Sequence, residues 1–82
     1  MYWLVTGSSI TECKSHAEAQ ELLLDVLAMR RGQGCEIWPP FRIDGYEDIY
    51  LVTWRNSPRT EHVYVTNIRP RGIIKDGQSY DV

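Results

Sequence analysis

The sequence has no run of about 18 apolar residues, the length that a membrane-spanning helix needs. Its first residues, MYWLVTGSSITEC, lack the basic start and the long apolar stretch of a signal peptide. A basic excess is absent too, because the net charge is −2, whereas dedicated nucleic-acid-binding domains are usually basic. These absences favour a cytoplasmic protein that does not enter a membrane.

Cysteine is scarce, and the two that are present flank the main predicted helix. About 17 helical residues span roughly 25 Å, whereas a disulfide needs Cα atoms within about 7 Å. We therefore expect Cys13 and Cys35 to be free thiols, in agreement with a reducing compartment.

The two histidines do not complete a reactive or metal-binding pattern with these cysteines. Cys13 and His16 lie three residues apart near a helix start, where the helix dipole could lower a thiol pKa. Neither an orienting group nor an oxyanion site is evident for them, so no catalytic residue is predicted. Zinc sites usually contain closely spaced ligand pairs, and neither Cys35 nor His62 has a cysteine or histidine close to it in the sequence. No metal or cofactor is expected, and a small thiol-dependent enzyme is the third functional hypothesis.

The composition, with 43% hydrophobic and 24% charged residues, predicts one globular domain that comprises residues 1–82. YWLVT predicts a short strand that ends in a turn at Gly7. Ser15 and Glu18 form a capping box at the start of a helix. Arg30 and Arg31 suit its last turn, and Gly32 is predicted to provide the left-handed cap. At 100° per residue one broad apolar arc forms, comprising Ala19, Leu22, Leu23, Leu24, Val26, Leu27 and Met29.

The second half of the sequence predicts an antiparallel meander. Asp44-Gly45 is a strong hairpin signal, and it would pair Ile43 with Tyr46. DIYLVTWR and EHVYVTNI follow as strands around the turn NSPRT, and Asp76-Gly77 suggests a small terminal hairpin. The predicted fold is α+β with two layers: one amphipathic helix packed on a three- to four-stranded, mostly antiparallel sheet, in the order β-α-β-β-β.

The strand register decides which side chains face the helix, because a slip of one residue exchanges the two faces of a strand. The core face is predicted to hold Phe41, Ile43, Tyr46, Tyr50, Val52, Trp54, Val63 and Val65. The opposite face would hold Arg42 paired with Glu47, and the large side chains Trp38, Ile49, Leu51 and Tyr64. A four-residue turn at 56–59 gives this arrangement, whereas a five-residue turn would place Tyr64 in the core instead.

One helix covers only one face of such a sheet, so the second face is expected to be free. Large exposed apolar patches are rare on soluble monomers and often bind partners. The alternative is a polar surface with scattered apolar residues, which needs no function. The first hypothesis is a non-enzymatic protein-binding module that associates stoichiometrically with another protein, with itself, or with both. Its expected contact residues are Trp38, Ile49, Leu51 and Tyr64. Small acidic domains of this kind often act as inhibitors or adaptors, including many phage-encoded ones.

The second hypothesis is a single-stranded nucleic-acid-binding module. Arginine outnumbers lysine seven to two, and residues 53–82 hold five basic and three acidic side chains. Arginine suits phosphate contacts and base stacking. The candidate residues are Arg55, Arg59, Arg69 and Arg71. The acidic helix positions Glu18, Glu21 and Asp25 form either a docking stripe for a basic partner or an ordinary solvated face.

Overall fold

The computed structural model describes residues 1–43, 46–71, 74–75 and 78–79, and it shows one helix packed on an antiparallel sheet. The elements are β1 (Tyr2–Val5), β2 (Ile10–Cys13), α1 (His16–Gly32), β3 (Glu36–Ile37), β4 (Ile49–Thr53), β5 (Thr60–Thr66), β6 (Ile74–Lys75) and β7 (Gln78–Ser79). The predicted α+β class with one helix on a sheet is confirmed. The predicted turn residues 44–45 and 76–77 lie outside the described residues.

The sheet has more strands than predicted. Its main path is β2-β1-β5-β4-β3. Strand β6 pairs antiparallel with β5 near Glu61, and β7 pairs antiparallel with β6. The segment ITEC is strand β2, which pairs with β1, so the order starts β-β-α rather than β-α. The sequence did not indicate β2 because three of its four side chains are exposed, which leaves no apolar alternation to detect.

The helix begins where predicted, but its left-handed cap lies two residues beyond the predicted one. The Ser15 Oγ accepts a hydrogen bond from the Glu18 N–H at 3.1 Å, which is the N-cap bond of the predicted capping box. Gly32 is still helical, and the residue with positive φ is Gly34, at 83°. The Gly34 N–H donates to Arg31 O, and the Cys35 N–H donates to Arg30 O, each at 3.0 Å. These two bonds form a Schellman motif centred on Gly34, so the prediction for Gly32 is wrong.

Only a narrow stripe of the predicted apolar arc is buried against the sheet. Ala19, Leu23 and Leu27, spaced four residues apart, are buried, whereas Leu24 and Met29 are 63% and 52% exposed. Both belong to the predicted arc but lie outside the contact, because the helix touches the sheet along one line. The core between the layers contains Leu4, Cys13, Ala19, Leu23, Leu27, Cys35, Val52, Val63 and Val65.

The central strand pair has the predicted faces. Tyr50 pairs with Val63, and the ladder ends at Thr53 and Thr60. The connection therefore spans residues 54–59, two residues longer than the predicted turn. An even difference leaves each side chain on its predicted face, so Val52 and Val63 point to the helix and Leu51 points away.

The segment after β3 does not follow the predicted register. The Trp38 N–H bonds to Leu51 O, and Phe41 forms a bridge with Ile49. The chain therefore advances three residues after β3 while its partner β4 advances two. Pro39 and Pro40 lack amide donors, and the extra residue is accommodated there as a bulge. Because one extra residue reverses the faces, Phe41 lies beside Ile49 and is 40% exposed. Its predicted place in the core is wrong.

The neighbouring predictions for residues 42–47 change with that bulge. Ile43 is 48% exposed rather than buried, and Tyr46 packs on the helix-free face instead of the core. Arg42 lies 3.5 Å from Asp48 rather than against Glu47. Glu47 instead accepts a hydrogen bond from the His16 ring at 2.9 Å.

A buried ion pair joins the end of the helix to the central strand. Glu61 is 2% exposed, and its two carboxylate oxygens accept hydrogen bonds from Arg30 at 2.8 and 3.1 Å. The Gly7 N–H donates a third bond at 2.9 Å. Burial alone would raise the pKa of Glu61, but these bonds outweigh it and lower the pKa below its usual value.

Replacing Gly7 with alanine should disturb this ion pair. A Cβ at position 7 would lie 2.9 Å from the Glu61 Cγ, which the Arg30 fork holds in place. We expect a loss of about 1–3 kcal/mol in the free energy of unfolding, measured by urea denaturation. Gly32→Ala is the control, since its Cβ meets no atom within 4 Å. That change should stabilise by about 0.5–1 kcal/mol. Equal effects of the two changes would contradict the proposed clash.

Candidate functional site

The helix-free face of the sheet is partly covered by the chain itself. Val5, Ile49 and Tyr64 form a second small core, and Tyr46 packs against it. The Tyr46 and Tyr64 rings meet edge to face, with centroids 5.4 Å apart. Ile49 and Tyr64 are 2% and 4% exposed, so the expectation that both would lie on the surface is wrong. The sequence did not reveal this because Tyr46 was assigned to the opposite face.

The other two predicted contact residues lie together near the β3 edge of the same face. Trp38 is 46% exposed, and its indole N–H donates to the Thr53 hydroxyl at 3.0 Å. Leu51 lies opposite Trp38 in the ladder and is partly buried. The exposed side chains of Phe41 and Ile43 follow within five residues of Trp38. We call Trp38, Phe41, Ile43 and Leu51 the aromatic edge.

Hydrogen bonds and prolines hold the backbone of the aromatic edge. The Trp38 N–H donates to Leu51 O at 3.0 Å, and Phe41 exchanges bonds with Ile49 at 3.0 and 2.8 Å. Between these anchors the rings of Pro39 and Pro40 restrict φ to a narrow range. The exposed aromatic side chains therefore project from a segment with little backbone freedom.

His62 lies beneath this surface and did not enter the predicted site. Its ring meets the Phe41 ring edge to face, with centroids 6.2 Å apart. Burial lowers the pKa of His62, which favours the neutral imidazole near pH 7. Its Nδ1 is buried and has no hydrogen-bond partner within the described part of the chain. A neutral histidine ring provides a flat, weakly polar surface beneath the aromatic edge.

The four candidate arginines for nucleic-acid binding lie in two separate places. Arg55 and Arg59 are in the loop before β5, and Arg69 and Arg71 follow its end. Seven strand residues span roughly 20 Å or more between the two pairs. Arg59 also stacks 4.8 Å above the Trp54 ring. The structure therefore does not bring the four side chains together on one platform.

Both cysteine side chains lie in the core between the layers. Cys13 and Cys35 are free and buried, as expected for unpaired cysteines. Burial, followed by the nearby charge of Glu18, raises the pKa of Cys13, which disfavours the thiolate. The ring of His16 bonds to Glu47 and packs edge to face on Tyr2.

Neither of two shallow depressions on the described surface gathers an acid, a base and a nucleophile. One, of about 300 Å³, is lined by Tyr2, Tyr46, Glu47, Thr66 and Asn67. The other, of about 320 Å³, is lined by Gln33, Gly34, Trp54, Arg55, Asn56 and Ser57. Within residues 1–43 and 46–71, no three His, Cys, Asp or Glu side chains converge as metal ligands would.

The one described helix is too short and too polar to cross a membrane.

Comparisons with protein-family models, with curated proteins and with solved structures found no significant match. The functional argument therefore depends on the aromatic edge itself.

Proposed function

We propose that the protein binds another protein stoichiometrically, as an inhibitor or an adaptor, through the aromatic edge. The observation that carries this proposal is the clustering of exposed apolar side chains. Among the described residues, eight large hydrophobic side chains are exposed, and three of them lie within residues 38–43. A cytoplasmic setting belongs to the same proposal, because both cysteines are free thiols.

Because the backbone of the aromatic edge is held in place, its exposed side chains are better suited to binding a partner than those of a flexible loop. Ordering a flexible loop on binding costs conformational entropy, and a segment already held in place avoids most of that cost. Trp38 is oriented by its bond to Thr53, and the Phe41 backbone is tied to Ile49. Aromatic side chains presented in this way are the usual centres of binding energy in protein interfaces.

Arg42 indicates the chemistry of the partner. It lies between Phe41 and Ile43, its side chain is 80% exposed, and its contact to the half-exposed Asp48 is 3.5 Å long. An arginine beside aromatic anchors is typical of interface centres. The fitting partner is therefore a protein with an apolar pocket and a carboxylate next to it. A second copy of this chain and a single-stranded nucleic acid are the competing occupants that an experiment must distinguish.

Replacing Trp38 or Phe41 with alanine should remove the partner while leaving the fold intact. Truncating an interface centre costs about 2–4 kcal/mol, so binding should weaken at least about 30-fold. The partner is first captured from an extract of the native source, then purified and titrated against each variant by calorimetry. Leu24→Ala is the control, because Leu24 is 63% exposed but lies on the helix.

Several results would contradict this proposal. A purified partner that binds the Trp38, Phe41 and Leu24 variants equally well would exclude the aromatic edge as the contact. Equal binding by Arg42→Glu and wild type would exclude an acidic partner group. Salt-sensitive binding to single-stranded RNA, lost in an Arg69→Ala, Arg71→Ala variant, would favour the nucleic-acid hypothesis instead.

A further inference from the structure

The β2 strand is an unpaired sheet edge with none of the protection that the opposite edge has. In the described part of the sheet β2 pairs only with β1, and its first three side chains are exposed. At the other edge, β3 has two residues and is followed by Pro39 and Pro40, which cannot donate to a further strand. Natural proteins block exposed edges or use them for pairing with another strand.

The hairpin geometry shows which β2 groups point outwards. The Thr6 N–H donates to Ser9 O at 2.9 Å, so this pair is hydrogen-bonded at the turn. In an antiparallel ladder bonded and non-bonded pairs alternate, and Leu4–Thr11 is therefore the next bonded pair. The N–H and C=O groups of Ile10 and Glu12 consequently point away from β1.

We propose that β2 pairs antiparallel with β2 of a second copy of this chain, which joins the two sheets into one. In the proposed register Ile10 of each copy lies opposite Glu12 of the other, and the two-fold axis passes between the two Thr11 residues. Each strand then donates twice and accepts twice, so every outward group of Ile10 and Glu12 is satisfied.

The side chains of β2 select this register over its neighbours. A shift by two residues in one direction would set Glu12 directly opposite Glu12 of the second copy, and like charges in that position repel. A shift in the other direction would pair Ile10 with itself and leave Glu12 opposite Ser8, a turn residue. The proposed register instead places Thr11 against Thr11, a favourable cross-strand pair, and an aliphatic side chain against each glutamate.

This dimer leaves the aromatic edge free, because β3 and β2 are the opposite ends of the main sheet path. The two copies would present two aromatic edges at the far ends of a continuous sheet. The inference does not depend on the function proposed above, and the aromatic edge would contact its partner equally well in a monomer.

A proline at position 12 tests the backbone ladder. The Glu12 N–H points outwards, so Glu12→Pro removes one intermolecular donor per copy without removing a bond to β1. The dimer dissociation constant, measured by sedimentation equilibrium from about 10 μM to about 1 mM, should rise at least tenfold, as expected for two lost bonds. Circular dichroism of the variant should match wild type.

A pair of cysteine variants tests the register, and this test does not require the fold to tolerate a proline at position 12. In the proposed register Thr11 of one copy lies opposite Thr11 of the other in a non-hydrogen-bonded pair. The two Cα atoms of such a pair lie about 4.5 Å apart, which is within reach of a disulfide. Thr11→Cys should give a disulfide-linked dimer under mild oxidation. Glu12→Cys should not, because the two residues 12 are displaced along the strands by about 7 Å.

Three outcomes would overturn the proposed dimer. The first is a wild-type protein that sediments as a monomer over the whole concentration range. The second is equal crosslinking of the two cysteine variants, which indicates random collision. The third is a dimer that Trp38→Ala dissociates and Glu12→Pro leaves intact, which would place self-association at the aromatic edge.

Discussion

Replacing Arg30 with methionine should destabilise the protein by about 3–5 kcal/mol, since it leaves the Glu61 carboxylate buried without its counter-charge. Glu61 is 2% exposed, and Arg30 supplies two of its hydrogen bonds. Only the bond from the Gly7 N–H would remain. The change is measured as the difference in free energy of unfolding in urea at pH 7.

The pH dependence of this loss identifies Glu61 as its origin. In the wild type the pKa of Glu61 lies below its usual 4.5, so the pair stabilises the fold above that pH. This contribution is lost as the pH falls through the lowered pKa. Without Arg30, burial should raise the pKa of Glu61, and protonation then relieves the penalty on acidification. The difference between the two proteins should therefore shrink as the pH falls from about 7 to about 3.

The double variant Arg30→Met, Glu61→Leu separates a buried charge from lost packing. With no carboxylate left to desolvate, stability should recover to within about 1 kcal/mol of wild type or exceed it. A double variant as unstable as Arg30→Met alone would show that the arginine acts through its hydrocarbon contacts. A pH-independent difference between Arg30→Met and wild type would lead to the same conclusion.

Leu23→Ala should cost about 2–5 kcal/mol in the free energy of unfolding, whereas Leu24→Ala should change it by less than about 0.5 kcal/mol. The two leucines are neighbours in sequence and have the same chemistry. Leu23 is 3% exposed in the core between the layers, and Leu24 is 63% exposed on the helix. Removing Leu23 leaves a cavity, and removing Leu24 leaves none.

Thermal and urea unfolding of the two variants provide the measurement. Similar losses at both positions would mean that something covers Leu24, and a second copy packed on the helix would be the first explanation to examine. Such a result would also count against β2 as the dimer contact.

Several elements could be predicted from the sequence because their signals are local. The capping box at Ser15 and the charges of Arg30 and Arg31 defined the helix from neighbouring residues alone. The faces of β4 and β5 followed from alternation, which survived an error of two residues in the turn length. Leu51 lies on its predicted face for the same reason, and the Trp38 N–H bonds to its carbonyl.

Other features depended on contacts between distant residues. Glu61 is part of an otherwise ordinary strand, and its burial depends on Arg30 and Gly7, which are 31 and 54 residues away. The second core that buries Ile49 and Tyr64 requires Tyr46 to face away from the helix. Strand β2 has little apolar pattern of its own and is defined by its bonds to β1.

By itself the sequence determined the class of fold, the one helix with its N-terminal cap and the face of each central strand, because these follow from periodicity and side-chain chemistry within a few residues. Only the tertiary structure decided that the bulge at Pro39 and Pro40 turns Phe41 outwards beside Trp38. One extra residue in an edge segment reverses the faces beyond it, and only the pairing with β4 fixes where that residue is accommodated.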